Sequence, residues 1–256
     1  MPSFIIDILS NIIANIVFWL AGGLTVAFVV GRKRRKLVAF FGLGKQNRLL
    51  VYMTSRPVYQ PFNERGVPSE EFQLVPTISS LFLSGQLGPV PEAFSGLIDS
   101  FWLIKRPSIE FLASPQDAEE IRFANTICVG GPAYNAATAY YSKACSPYFA
   151  LSYERKEWRV RILRGSKAGE SIIADEGWDL GILNKCYDVE HGSTIFIVAG
   201  MGINGTIAAA EHLVANWQTL QAAYKAQEFG LYLRCPYRTS ADSTGYERAE
   251  VIMRLP

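Results

Sequence analysis

The chain reads as one α/β domain with a mixed sheet, held behind a single N-terminal transmembrane helix. Three observations predict this. Phe4 to Val30 is an almost unbroken apolar run, followed at once by Gly31-Arg32-Lys33-Arg34-Arg35-Lys36. After the basic cluster, short apolar β-rich segments alternate with helical ones, the pattern of a sheet with helices on its faces. Two of the strand-to-helix joints are glycine loops, Gly130-Gly131-Pro132 and Gly200-Met201-Gly202-Ile203-Asn204-Gly205.

The apolar run is longer than the ~18 residues that cross a bilayer as a helix. Its positive flank lies only on the C-terminal side, and cationic flanks stay in the cytoplasm. The expectation is a single pass through the inner or plasma membrane, N-terminus out and C-terminal domain cytoplasmic. A secretory signal would carry its charge before the apolar stretch and end in a small-residue cleavage site. Gly31-Arg32-Lys33 is not such a site. We divide the chain into a transmembrane helix (4–30), a basic juxtamembrane connector (31–47) and a cytoplasmic α/β domain (48–256). Within the span, Asp7, Asn11 and Asn15 recur every four residues on one face, and Gly22, Gly23 and Ala27 supply small side chains. Polar and small residues favour close helix contact in lipid, so a homo-oligomer joined through the span is one reading. The other is an anchor with Asp7 and Asn11 at the headgroups.

About 220 of the 256 residues follow the span, enough for one sizeable core. Net charge is +2, and without the five basic residues of the membrane flank the remainder is slightly acidic. Nucleic acid as a partner is therefore not expected, whereas the flank suits anionic lipid heads. Cys128, Cys145, Cys186 and Cys235 are far apart, and His191 and His212 do not join them at ligand spacing. A zinc site needs clustered ligands, so no metal is expected, and the cysteines read as small core hydrophobes.

The elements follow in order. Arg48–Ser55 reads as a buried strand. Pro57 to Pro91 holds six prolines, which leaves loop with at most short helices. Phe94, Leu97, Ile98 and Phe101 fall at helical spacing within Pro91–Leu103. Asn125–Val129 is a strand running into the first glycine loop, and Asn135–Cys145 is a helix. Tyr148–Ser152 and Trp158–Leu163 form a hairpin about Glu154-Arg155-Lys156-Glu157. Ser171–Ala174 and Asp179–Leu183 are short strands, and Ser193–Ala199 is a buried one. A helix covers about Thr206 to Ala226, and the strands Phe229–Cys235 and Ala249–Leu255 close the chain.

The candidate site is built from the glycine loops. Gly200, Gly202 and Gly205 stand as G-x-G-x-x-G between a strand and a helix, the context that gives the motif meaning. Glycines permit a tight turn and close backbone approach, and the N–H groups at a helix start attract an anion. Asn204 and Thr206 add polar groups, and Thr206 can cap the helix. Gly130, Gly131 and Asn135 form the second loop. If its strand neighbours Ser193–Ala199 in parallel, both loops share one carboxyl edge, where α/β sheets bind ligands. A redox dinucleotide fingerprint also wants an acid at the end of the next strand. That strand ends instead in Arg234-Cys235-Pro236-Tyr237-Arg238, where Arg234 and Arg238 can face a phosphate. Asp175, Glu176 and Asp179 read as a solvated turn, with Asp179 a possible ribose ligand or base.

Together, the early glycine loop, the later strand, the loop ending in Gly205-Thr206 and its helix resemble the SLOG group of Rossmann-like nucleotide-binding domains over Asn125 to Ala226. Some of that group are fused to membrane helices, and the resemblance implies a sensor of nucleotide signals in bacterial defence. Its hydrolytic members carry Gly-Gly-x-Gly-Thr with a glutamate three positions on. Here Ile203 replaces the second glycine, Ala209 stands at the glutamate position, and the first acid is Glu211. The resemblance therefore implies binding of a nucleotide-like small molecule and assigns neither catalytic residues nor a cofactor. The alternatives are a tethered enzyme acting on a nucleotide or sugar phosphate, with Asp179 or Glu211 as acid or base, and an anchored interaction domain without a ligand.

Overall fold

The computed structural model describes residues 2–44, 46–57, 65–82, 107–154, 157–236 and 249–255. The helix expected over Pro91–Leu103 lies outside them. Helix α1 spans Pro2–Phe40. Within its segment Ile13–Phe40 the most apolar 18-residue window has mean hydropathy 2.1 and is only 7% buried. Among the described residues it is the one helix long and apolar enough to cross a membrane. Val17, Phe18, Trp19 and Phe28 stand exposed on it.

The helix does not stop at the basic cluster. It runs on through the segment expected as a connector, because Val30, Leu37 and Phe40 recur at helical spacing and make an apolar stripe. All three are buried. Phe40 and Phe41 enter the core, Phe40 at 5.2 Å from Phe196 and 6.2 Å from Phe229, and Phe41 at 4.8 Å from Phe196. Gly42 then turns the chain with φ +73°.

The domain is built on β1 (Arg48–Met53), β4 (Ser108–Ala113), β5 (Asn125–Val129), β9 (Trp178–Asp188), β10 (Ser193–Gly200), β11 (Phe229–Pro236) and β12 (Glu250–Leu255). Their order across the sheet is β12-β11-β9-β10-β5-β1-β4. The half from β10 to β4 is parallel, while β9 is antiparallel to both β10 and β11, and β11 to β12. The sheet is thus mixed. Every residue of β5 and β10 is buried, as central parallel strands covered on both faces require. β12 alternates exposed and half-buried residues, the signature of an edge.

Two layers cover the sheet. On one face, α5 (Ile203–Tyr224) packs on β9, β10 and β11 beside the end of α1 and α3 (Leu74–Ser80). Leu213, Trp217, Phe196 and Phe229 sit in this core. The other face carries α4 (Ala136–Ala144) and a small sheet of β6 (Phe149–Glu154), β7 (Glu157–Ile162) and β8 (Ser171–Ile172). Tyr52, Tyr141, Phe149 and Ile197 sit in that second core. The expected hairpin is β6–β7. β9 is longer than the Asp179–Leu183 strand expected of it, since Asn184 and Lys185 lie buried within it. The Pro-rich stretch holds a short ladder, β2 (Arg56–Pro57) with β3 (Arg65–Gly66), and the short helices α2 (Ser69–Phe72) and α3. All four cysteines are buried and none forms a disulfide.

Candidate functional site

In chain order the parallel strands are β1, β4, β5 and β10, yet they stand as β4-β1-β5-β10. The chain moves to one side of β1 and then returns to the other. Segments leaving the carboxyl ends of β1 and β5 diverge at such a point, and a crevice opens between them. Both glycine loops end there, because β5 and β10 are parallel neighbours with Val129 opposite Val198.

The crevice contains a narrow cleft of about 40 Å³. Thr54 and Arg56 line it from the end of β1, Gly131 and Tyr134 from the β5 loop, and Gly200, Gly202 and Thr206 from the β10–α5 joint. Glu71 of α2 and Trp158 of β7 complete the wall. The Ser55 N–H donates to the Tyr134 carbonyl at 3.0 Å and ties the first two loops together. The Arg56 guanidinium lies 4.5 Å from the centre of the exposed Tyr134 ring, a cation–π contact at the mouth. A larger hollow of about 540 Å³ runs beside α4 past Gln116 and Tyr140, away from the glycine loops.

Of the eight residues expected at the site, the cleft brings Gly131, Gly200, Gly202 and Thr206 together. Gly130, Asn135, Asn204 and Gly205 are not on its wall. Gly130 holds φ +99°, and a Cβ there would collide with the Thr54 hydroxyl. Asn135 is fully buried and caps α4. Its Oδ1 accepts from Thr138 N at 3.1 Å, and its Nδ2 donates to Tyr52 O and Val129 O. Gly205 lets α5 lie against β9, where a Cβ would run into the Leu180 carbonyl.

The start of α5 differs most from expectation. Gly202 is its N-cap and has no side chain to bond the first N–H groups. Asp179, 23 residues upstream, does so instead. Its Oδ1 accepts from Gly202 N at 2.9 Å and from Leu180 N at 2.8 Å, and its Oδ2 accepts from Gly205 N at 2.7 Å. Asp179 is therefore not part of a solvated turn; it is wholly buried. Burial pushes its carboxyl above the ordinary value, and the N–H groups of Gly205, Gly202 and Leu180 oppose the rise. A carboxylate of the protein itself occupies the place where a glycine loop receives a phosphate.

The chain matches no family model, no curated protein and no solved structure. What the site can do thus rests on its chemistry.

Among the lining residues Arg56 is the cation and Glu71 the carboxylate. Glu71 is 2% exposed, and its Oε2 accepts from Thr54 N at 3.3 Å. Burial raises its carboxyl above the ordinary value, with the Thr54 contacts and the Arg56 charge pulling the other way. Arg234, expected to face a phosphate, pairs with Glu250 at 2.9 Å and stacks 4.5 Å over Trp178. Arg238 lies outside the described residues.

Sequence reasoning missed Arg56, Glu71, Tyr134 and Trp158. Arg56 and Thr54 carried one usable signal, since they directly follow a buried strand. Glu71 carried none, because it sits among prolines in a stretch read as loop.

Proposed function

We propose that this chain is a membrane-anchored, Rossmann-like sensor whose cytoplasmic domain binds a small nucleotide-like ligand at the crevice between β1, β5 and β10. One observation carries the reading: both glycine loops, with a cation and two aromatic side chains, line a single cleft at the point where strand order reverses. Arg56 suits a phosphate at the mouth. Tyr134 and Trp158 offer flat faces for a base. The cleft itself is small, about 40 Å³, so most of the ligand lies in the open crevice. The apolar face of α1 supports the anchor, and its small residues offer a surface for self-association in lipid.

Thermal denaturation of the full chain in lipid nanodiscs, with and without nucleotides and nucleotide second messengers, tests this. A ligand that binds only the folded state raises the midpoint, by about 2.7 kcal/mol of stability at a hundredfold excess over Kd. Arg56→Ala and Trp158→Ala should lower the gain. No shift with any of them, in a cooperatively unfolding protein, would sink the sensor.

A second reading is favoured by Asp179. Its bonds to α5 and the small cleft suit an anchored interaction domain whose glycine loops serve packing. That reading gains if no ligand stabilises the chain.

A further inference from the structure

We propose that the floor of the cleft reads hydroxyl donors of the ligand through Glu71, with the ribose diol inward and the phosphate outward at Arg56. This rests on the nucleotide-like reading above. It reverses the usual orientation at a glycine loop, where phosphate meets the helix start.

Three observations carry it. The helix start is already filled: Gly202 N and Gly205 N both donate to Asp179. A phosphate brought there would meet a buried carboxylate at close range, which is repulsive in a low-dielectric site. The Asp179 Oδ2 stands 2.7 Å from where a Cβ of Gly202 would lie, so the carboxylate is directly behind the cleft wall. Next, Glu71 puts a second carboxylate on that wall, 2% exposed. It accepts from Thr54 N at 3.3 Å, and a carboxylate has about four lone-pair sites in all. A buried acceptor gains most from a donor that arrives with the ligand. Last, the cleft is narrow where Glu71 lines it, about 40 Å³, which suits small donors such as hydroxyl groups. Arg56, the cation of the wall, is exposed at the mouth beside Tyr134. Donor inward and anion outward is the arrangement these charges favour.

The test uses the full chain in nanodiscs and calorimetric titration with the four ribonucleoside triphosphates, their 2′,3′-dideoxy counterparts and inorganic triphosphate. The unmodified protein should bind its preferred ribonucleotide about tenfold or more tightly than the dideoxy form, the scale of one hydrogen bond to a charged group. Glu71→Gln should bring the two forms to within about twofold. Arg56→Ala should weaken both forms and inorganic triphosphate alike, leaving the ratio intact. Equal binding of ribo and dideoxy forms by the unmodified chain overturns the role of Glu71 while the nucleotide reading stands, and needs no variant to fold. A ratio that survives Glu71→Gln overturns it as well. Failure of the unmodified chain to bind any of these probes removes the nucleotide reading and this inference with it.

Discussion

At the scale of single residues, Asp179 shows how a motif can be legible while its use is not. The spacing of Gly200, Gly202 and Gly205 between strand and helix stands plainly in the sequence. That the helix would be capped from 23 positions upstream depends on β9 lying beside β10. Asp179→Ala would leave the buried Gly205 N–H without an acceptor and take the partner from the half-buried Gly202 N–H. We expect a loss of about 2 kcal/mol in urea denaturation, between the cost of a lost cap and that of an unmade buried hydrogen bond to a charge. A loss under about 0.5 kcal/mol, the range of an ordinary surface change, would show that the carboxylate does not hold the joint. The same packing makes Gly205→Val a probe of the fold, since the added atoms meet the Leu180 carbonyl. Ligand binding is better probed at Arg56 and Glu71, whose side chains face the cleft.

At the scale of elements, α1 and α5 meet. The end of α1 packs on α5, and Phe40 sits among Phe41, Phe196 and Phe229. Lys185, buried in β9, donates to the Lys225 carbonyl at the end of α5 and lies 4.9 Å from the Phe40 ring. Burial lowers its pKa to about 8. One end of α5 thus lines the cleft and the other adjoins α1. The last turn of α1 belongs to the core although the sequence reads as connector there, because the basic run Arg32–Lys36 just before it hides the apolar Leu37 and Phe40. Phe40→Ala should cost about 3 to 5 kcal/mol, as a large aromatic removed from a core does. A chain beginning at Leu37 should unfold cooperatively, whereas one beginning at Gln46 should not, with near-UV circular dichroism as the check. Equal cooperativity of the two would place α1 outside the core.

At the scale of the whole molecule, the charge asymmetry about the apolar run sets the expected orientation. A reporter active only in the cytoplasm, joined after Pro256, should be active, and moving Arg32 to Lys36 ahead of Phe4 should reverse it. Activity unchanged by that transfer would remove the charge rule as the cause. The α/β class, the β6–β7 hairpin and the long helix after the second glycine loop were all readable from period and turn residues, which are local properties of the chain. β4 was not read. Its residues Ser108–Ala113 are half-buried at a sheet edge, and its partner β1 lies more than fifty residues away.

By itself the sequence determined the apolar helix with its basic flank, the strands and the glycine turns, since propensity and hydrophobic period act over a few neighbouring residues. Tertiary structure alone decided the strand order that opens the crevice between β1 and β5. It also placed Glu71 and Arg56 on the cleft wall and set Asp179 in the anion place of α5. Each of these depends on contacts between residues distant in the chain, formed by burying both faces of the sheet at once, and no local pattern encodes which distant carboxylate meets which N–H group.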